Sequence, residues 1–168
     1  MVNDTTLQSR PVCPEDSTFL FELYASTRAK ELENWSSAQR DTFLRMQFLL
    51  QQQSYQAAFP NADDRIILSS NCRIGNLLSL RTPKEICLIY IALLPAYQNR
   101  GIGTYWLQTL QSEAERTHKF VRLQVLKFNP AMSLYQRLGF SIVEDMGGHW
   151  LMEWSPNFAL VAGVSATE

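Results

Sequence analysis

The sequence predicts an α/β chain of the α+β kind, with about seven strands and about four helices. Three observations carry this reading. An almost unbroken apolar run, Ile86–Leu94, is closed by Pro95, and its length suits a strand buried on both faces. After it, Ile102, Trp106, Leu110 and Ala114 recur at i+4 spacing, which lays one apolar face along a helix. Then Val121, Leu123 and Val125 alternate with Arg122 and Gln124, the period of a half-buried strand. A chain of 168 residues suggests a single domain, here taken as residues 1–155 followed by a tail at 156–168.

Composition narrows the class. Hydrophobic residues make up 46% of the chain and charged residues 18%, enough apolar material for a core and too much for a disordered chain. A net charge of −1 offers no general field for nucleic acid or an anionic membrane. No apolar run reaches the roughly 18 residues that span a bilayer. The N-terminal MVNDTTLQSR has no apolar segment of a secretory signal. Cys13, Cys72 and Cys87 are scattered, so neither a disulfide framework nor a metal site is expected. Cys87 reads as a small core residue, and a reducing cytoplasm suits the whole.

Taken in order, residues 5–12 read as an edge strand. Pro14 opens a helix with Glu15 and Asp16 in its first turn, where the helix dipole favours acids. Leu20, Leu23, Tyr24 and Thr27 form its stripe. Asn34–Ser37 breaks the pattern, and Ser36 or Ser37 caps a longer helix that runs to Ala58 and carries Phe43, Met46 and Leu50 on one face. Residues 64–70 and 74–80 read as strands around a turn at Asn71-Cys72. Gly75 marks a bulge or a close approach in the second of them. Arg81–Lys84 turns the chain into the apolar run. The helix after it ends near residues 117–119, where His118 and Lys119 meet its negative end and need no catalytic explanation. Pro130 opens a short helix that carries Tyr135 and stops before Gly139. Residues 140–145 and 149–154 form a hairpin around Gly147-Gly148, with His149 at the surface. The tail from Ser155 either frays or, through its mildly apolar 159–164, adds a strand to a homodimer partner.

The chemistry gathers where the apolar run meets the next helix. Free N–H groups at a helix start attract anions, and glycine lets a phosphate approach the backbone. The segment Gln98-Asn99-Arg100-Gly101-Ile102-Gly103-Thr104 therefore reads as a pyrophosphate cradle. A dinucleotide fingerprint would need a third glycine where Trp106 stands, and a nucleoside-triphosphate loop would need a lysine after Gly103. Two glycines at a helix start also occur in ordinary turns. The pattern Q-x-x-G-x-G resembles the acyl-CoA pyrophosphate loop of the GNAT superfamily of N-acetyltransferases. Downstream, Asn129-Pro130-Ala131, Tyr135 and Gly139-Phe140 resemble the second signature of that superfamily, N-x-x-A-x-x-x-Y-x-x-x-G-F, at matching spacing. The two motifs cover roughly residues 86–140.

The resemblance implies a GNAT-like mixed, mostly antiparallel sheet with splayed central strands. It implies acetyl-CoA as acyl donor, its pantetheine lying along the fourth strand in the gap before the fifth. Leu93 would give backbone contacts to the pantetheine and the thioester carbonyl, with an N–H there stabilising the oxyanion. Gln98 to Thr104 would cradle the pyrophosphate through main-chain N–H groups, Arg100 adding charge, and Asn129 would reach the cofactor from the end of the fifth strand. Tyr135 would be the general acid that protonates the departing thiolate; otherwise it is an amphipathic core tyrosine. The acceptor would be an unidentified amine, and the first two helices with the last hairpin would help shape its pocket. Members of the superfamily often carry an acid or histidine base on the fourth strand, and Ile86–Ala92 has none. Glu85 just before it, Tyr90 orienting a water, a water chain, or a residue of the first two helices stay open as the base. The same departure leaves a second reading, a non-catalytic acyl-CoA-binding module.

Overall fold

The computed structural model describes residues 6–157, so the proposed tail from residue 158 on, with its dimer strand at 159–164, lies outside the described residues. Seven strands are present: β1 (Leu7–Pro11), β2 (Asp63–Ser69), β3 (Cys72–Arg81), β4 (Glu85–Leu93), β5 (Phe120–Leu126), β6 (Ser141–Asp145) and β7 (His149–Trp154). Four helices accompany them: α1 (Ser17–Thr27), α2 (Ser37–Ala58), α3 (Ile102–Thr117) and α4 (Met132–Arg137). The strands form an open sheet in the order β1-β2-β3-β4-β5-β7-β6. The β1–β2, β2–β3, β5–β7 and β6–β7 ladders are antiparallel, and β4–β5 is parallel. The fold class expected from the sequence is the fold observed. Among the described residues no helix is long and apolar enough to cross a membrane. The chain divides into two compact units, one running to Leu80 and resuming at Ile89–Gly103, the other made of Arg81–Leu88 and the chain from Thr104 on.

In the first unit, a 3-10 turn at Pro14–Asp16 precedes α1. Asp16 has a structural task beyond its favourable place near a helix start. It is fully buried, takes both Arg10 Nη1 and Nη2 at 2.7 and 2.8 Å, and accepts from Arg73 Nη1 at 3.1 Å and Cys13 N–H at 2.9 Å. The Arg10 hydrogen bonds hold its carboxyl far below the usual carboxylate range against the cost of burial. The charge thus pins the first turn to β1 and β3. Ser36 is the cap of α2, its hydroxyl accepting from the Gln39 N–H at 3.3 Å. Phe48 of α2 meets Phe21 and Tyr24 of α1 with centroids 5.7 and 5.5 Å apart. Phe19, Leu23, Ile66 and Ala92 form a core cluster, with Tyr90 and Leu94 packed at its margin.

The β2–β3 turn sits at Ser70-Asn71, one residue earlier than the sequence suggested, with both residues left-handed. Two left-handed residues make the tight hairpin turn that matches strand twist. Gly75 proves to be a close approach, next to a register shift between Ile67 and Leu68. A Cβ there would lie 2.4 Å from the Ala92 carbonyl oxygen, so only glycine lets β3 pass β4 at this height.

The second unit holds α3 from Thr104 on, β5, α4 and the β6–β7 hairpin. Trp106, Leu110 and Ala114 are buried, as their spacing predicts, and Leu107 is buried beside them. His118 is left-handed, and the Lys119 N–H closes on the Ala114 carbonyl at 2.8 Å, a capped helix end. Arg81 grips Glu113 with two bonds of 2.8 and 2.9 Å. The β4–β5 ladder covers Glu85–Leu88 against Phe120–Leu123. The apolar run expected to be buried on both faces is buried mainly on one. Ile86, Leu88 and Ala92 are buried, while Cys87, Ile89, Ile91 and Leu93 are half-buried. The reason is visible at Cys87, whose neighbours are polar. Its thiol donates to Glu85 Oε1 at 3.2 Å. Glu85 in turn pairs with Arg122 at 2.9 Å, and Arg122 with Glu153 at 2.6 Å. Cys87 is therefore a strand-face thiol, pushed up to about 12 by burial first and Glu85 second.

Candidate functional site

The first part of the site is built by the end of β4 and the start of α3. At Leu93 the strand stops, because Pro95 has no N–H to continue a ladder and opens a 3-10 turn at Pro95–Tyr97. Gln98 then reaches back, and its Nε2 donates to the Leu93 carbonyl at 3.0 Å. Two residues expected in the site are thus joined directly. Asn99 and Gly101 are both left-handed, at φ 58° and 80°, with Arg100 between them on the other side of φ. Alternation of this kind is the pattern of anion-binding backbone concavities. At Gly101 a Cβ would meet nothing within 4 Å, so the segment opens onto free space at this point.

From there the chain enters α3. Ile102 is buried and anchors the helix start. Its amide and those of Gly103 and Thr104 are first-turn donors with no acceptor within the helix, at the positive end of its dipole. Gly103 is not left-handed, so its backbone alone does not require glycine. Arg100 is exposed, with its guanidinium 5.6 Å from the Tyr97 ring centre, and it is the one charged side chain between Leu93 and Thr104. Helix-start donors, a left-handed turn, open space beside glycine and one cation fit a diphosphate.

Two more of the residues expected from the sequence belong to the other unit. Asn129 is exposed, and its Oδ1 accepts from the Ala131 N–H at 2.9 Å, which starts the turn into α4. Its amide NH2 is the group left to reach a cofactor. Tyr135 is 8% exposed on α4. Its ring packs edge-on to Phe140 at 5.9 Å, and its carbonyl accepts from the Phe140 N–H at 3.0 Å. Gly139, left-handed at φ 89°, makes this return possible. The spacing Tyr135-x-x-x-Gly139-Phe140 thus has a local cause: a one-turn stop that folds Phe140 onto the tyrosine. Burial raises the Tyr135 phenol above its ordinary pKa, so it stays protonated at neutral pH.

Of the residues left open for the base step, Glu85 and Tyr90 have these surroundings. Glu85 is committed to Arg122 and to the Cys87 thiol. Tyr90 has its phenol pushed up, by burial first and then by Tyr55 and Tyr24, which keeps it a neutral hydroxyl, able to orient a water but not to act as an anionic base. Tyr90 instead lines a cavity of about 290 Å³ together with Tyr55, Asp64 and Asn76. Sequence reading missed this group. The signal available was Asn76, a polar residue inside the apolar run of β3, buried at 6% exposure.

Comparison with known proteins follows the same lines. Residues 62–142 match the family model described as an acetyltransferase (GNAT) domain, a span that takes in β2 to β5, the Gln98–Thr104 segment, Asn129 and Tyr135. No curated protein matches the chain in sequence. Among solved structures, the PaiA N-acetyltransferase of Thermoplasma acidophilum, in complex with coenzyme A, is similar at 19% identity and a TM-score of 0.67, over 90% of this chain and 99% of that one. An acetyltransferase of Thermus thermophilus is similar at 19% identity and a TM-score of 0.64, over 90% and 97% of the two chains. The putative acetyltransferase yncA of Salmonella typhimurium, with acetyl-CoA, is similar at 18% identity and a TM-score of 0.56, over 98% and 99%. At such identities the likeness establishes the fold alone, over β1, α1 and α2 as well as the matched span. With both motifs inside the matched span of residues 62–142 and the fold shared with these solved structures, the chain carries a GNAT (acetyltransferase) domain.

Proposed function

We propose that the protein is an N-acetyltransferase that moves an acetyl group from acetyl-CoA to a primary amine of a small molecule or protein by direct attack, with residues 1–155 acting as one acyltransferase domain. The observation that carries this reading is the Gln98–Thr104 segment, where left-handed Asn99 and Gly101 lead into the free amides of α3. Backbone donors of this kind bind phosphates without needing a large positive field, which suits a chain of net charge −1. Coenzyme A or acetyl-CoA is present in two of the similar structures, and we carry that ligand class over to this segment. The cysteines described are free thiols, which agrees with a cytoplasmic site of action.

In this reading the amine nitrogen bonds to the thioester carbonyl carbon, and the oxyanion is held by the backbone at Leu93. The C–S bond then breaks, and the departing thiolate takes the phenolic proton of Tyr135. The surplus proton of the nitrogen leaves through water and restores the phenol. Glu85 is not assigned this step because it is paired with Arg122, and Tyr90 with its raised pKa does no more than orient the water. A non-catalytic acyl-CoA-binding module is the second reading, favoured by β4 lacking a carboxylate or histidine between Ile86 and Leu93.

Ligand binding is tested by thermal melting with acetyl-CoA and, in parallel, NAD. Acetyl-CoA at a hundredfold over its dissociation constant adds about 2.7 kcal/mol of stability and raises the melting temperature. NAD leaves it unchanged, since the segment lacks the third glycine of a dinucleotide site. No shift at millimolar acetyl-CoA removes both readings.

A further inference from the structure

The cavity beside Tyr90 has a chemistry of its own. It is lined from α2 by Gln52, Tyr55 and Gln56, from β2 by Asp64, from β3 by Asn76 and from β4 by Tyr90. Its volume of about 290 Å³ lies at the small end of the range for ligand pockets. Among its lining residues Asp64 is the only charged one. Asn76, itself 94% buried, holds that carboxylate through Nδ2 to Oδ1 at 2.7 Å and braces itself on the Arg65 carbonyl at 3.0 Å.

Among the described residues no ion pair to Asp64 is found. Successive strand residues point to opposite faces, so Asp63 and Arg65 share the face that Asp64 does not. Arg65 is spent there, 3.6 Å from Asp63 and bonded to the Ser9 hydroxyl at 2.8 Å and carbonyl at 3.1 Å. Burial chiefly, with Asp63 adding, raises the Asp64 carboxyl above its ordinary pKa, against the Asn76 hydrogen bond. A half-buried carboxylate without a counter-ion is costly, and a bound cation offsets that cost. The rings of Tyr55 and Tyr90, 6.3 Å apart and tilted by 48°, supply faces that attract a cation and cover an alkyl chain. The polar ends of Gln52 and Gln56 add neutral donors and acceptors, and an anion finds no positive partner.

We propose that this cavity binds the primary ammonium group of a small-molecule acceptor, with Asp64 as its counter-ion and Asn76 positioning that carboxylate. This rests on the acetyl-transfer reading and names its substrate class. Tyr90 lies three residues before Leu93 on the same strand, so a ligand here occupies the stretch of β4 leading to the expected thioester.

The test uses three probes of one shape, n-hexylamine as its ammonium ion, n-hexanol and hexanoate, followed by NMR on the full chain without acetyl-CoA. Hexylammonium shifts the Asn76 side-chain amide and the Tyr55 and Tyr90 ring signals to saturation. Hexanol binds at least tenfold more weakly, and hexanoate does not saturate. In Asp64→Asn, where the new amide oxygen can still accept from Asn76, hexylammonium affinity falls at least tenfold. Equal binding of hexanol and hexylammonium by the wild type overturns the proposal even if the variant fails to fold. So does unaltered hexylammonium binding by a folded Asp64→Asn protein. An acetyl-CoA melting shift kept in the same samples separates failure of this site from failure of the acetyl-transfer reading.

Discussion

Tyr135→Phe lowers the single-turnover rate of acetyl transfer on the order of 10²–10⁴-fold while acetyl-CoA affinity stays close to wild type. The change removes one oxygen and keeps the ring, so the edge contact to Phe140 at 5.9 Å and the buried position persist. Only the transition state, in which the thiolate needs a proton, loses an interaction. Because burial raises the phenol, its deprotonation limits the wild-type rate only at pH above the ordinary tyrosine range near 10. The rate therefore falls as pH rises through that raised value, and Tyr135→Phe removes this limb. Single-turnover measurement is needed because product release can hide the chemical step. A wild-type rate in the variant assigns Tyr135 to the core, and greatly weakened CoA binding gives its hydroxyl a ground-state role instead.

The loop variants carry the second large effect. Gly101→Val forces a β-branched residue to φ 80°, at a strain of about 1–3 kcal/mol, and places two methyls in the open space beside the helix start. Gly103→Val meets no such backbone penalty, since Gly103 is not left-handed. Both weaken CoA binding at least tenfold by calorimetric titration while the circular dichroism of the fold is kept. Gly101→Asn separates strain from obstruction, because asparagine tolerates the left-handed region. A cradle blocked by side-chain volume leaves Gly101→Asn weak as well. Normal CoA binding by both valine variants makes the segment a structural turn.

The parts of this molecule that were legible in the sequence are those governed by local chemistry. The α3 face at Trp106, Leu110 and Ala114, the cap at Ser36 and the alternation of Val121, Leu123 and Val125 are short-range patterns, and each is found in place. The loop was legible because glycine and proline act on their own backbone. What escaped depended on partners distant in sequence. Asp16 read as a dipole residue because Arg73, its second arginine, lies 57 positions away. Cys87 read as core because Arg122 and Glu153, which make that strand face polar, lie on other strands. The Asp64 cavity escaped for the same reason, since α2, β2, β3 and β4 each supply only part of it.

One measurement tests the central account most directly: thiol release from acetyl-CoA over a panel of primary amines, with the acetylated amine identified by mass. An acetyltransferase releases one equivalent of CoA thiol for each acetylated amine, faster than acetyl-CoA is lost with no amine present. Tight acetyl-CoA binding with no amine-dependent thiol release across the panel would contradict the transferase and leave the non-catalytic binding module.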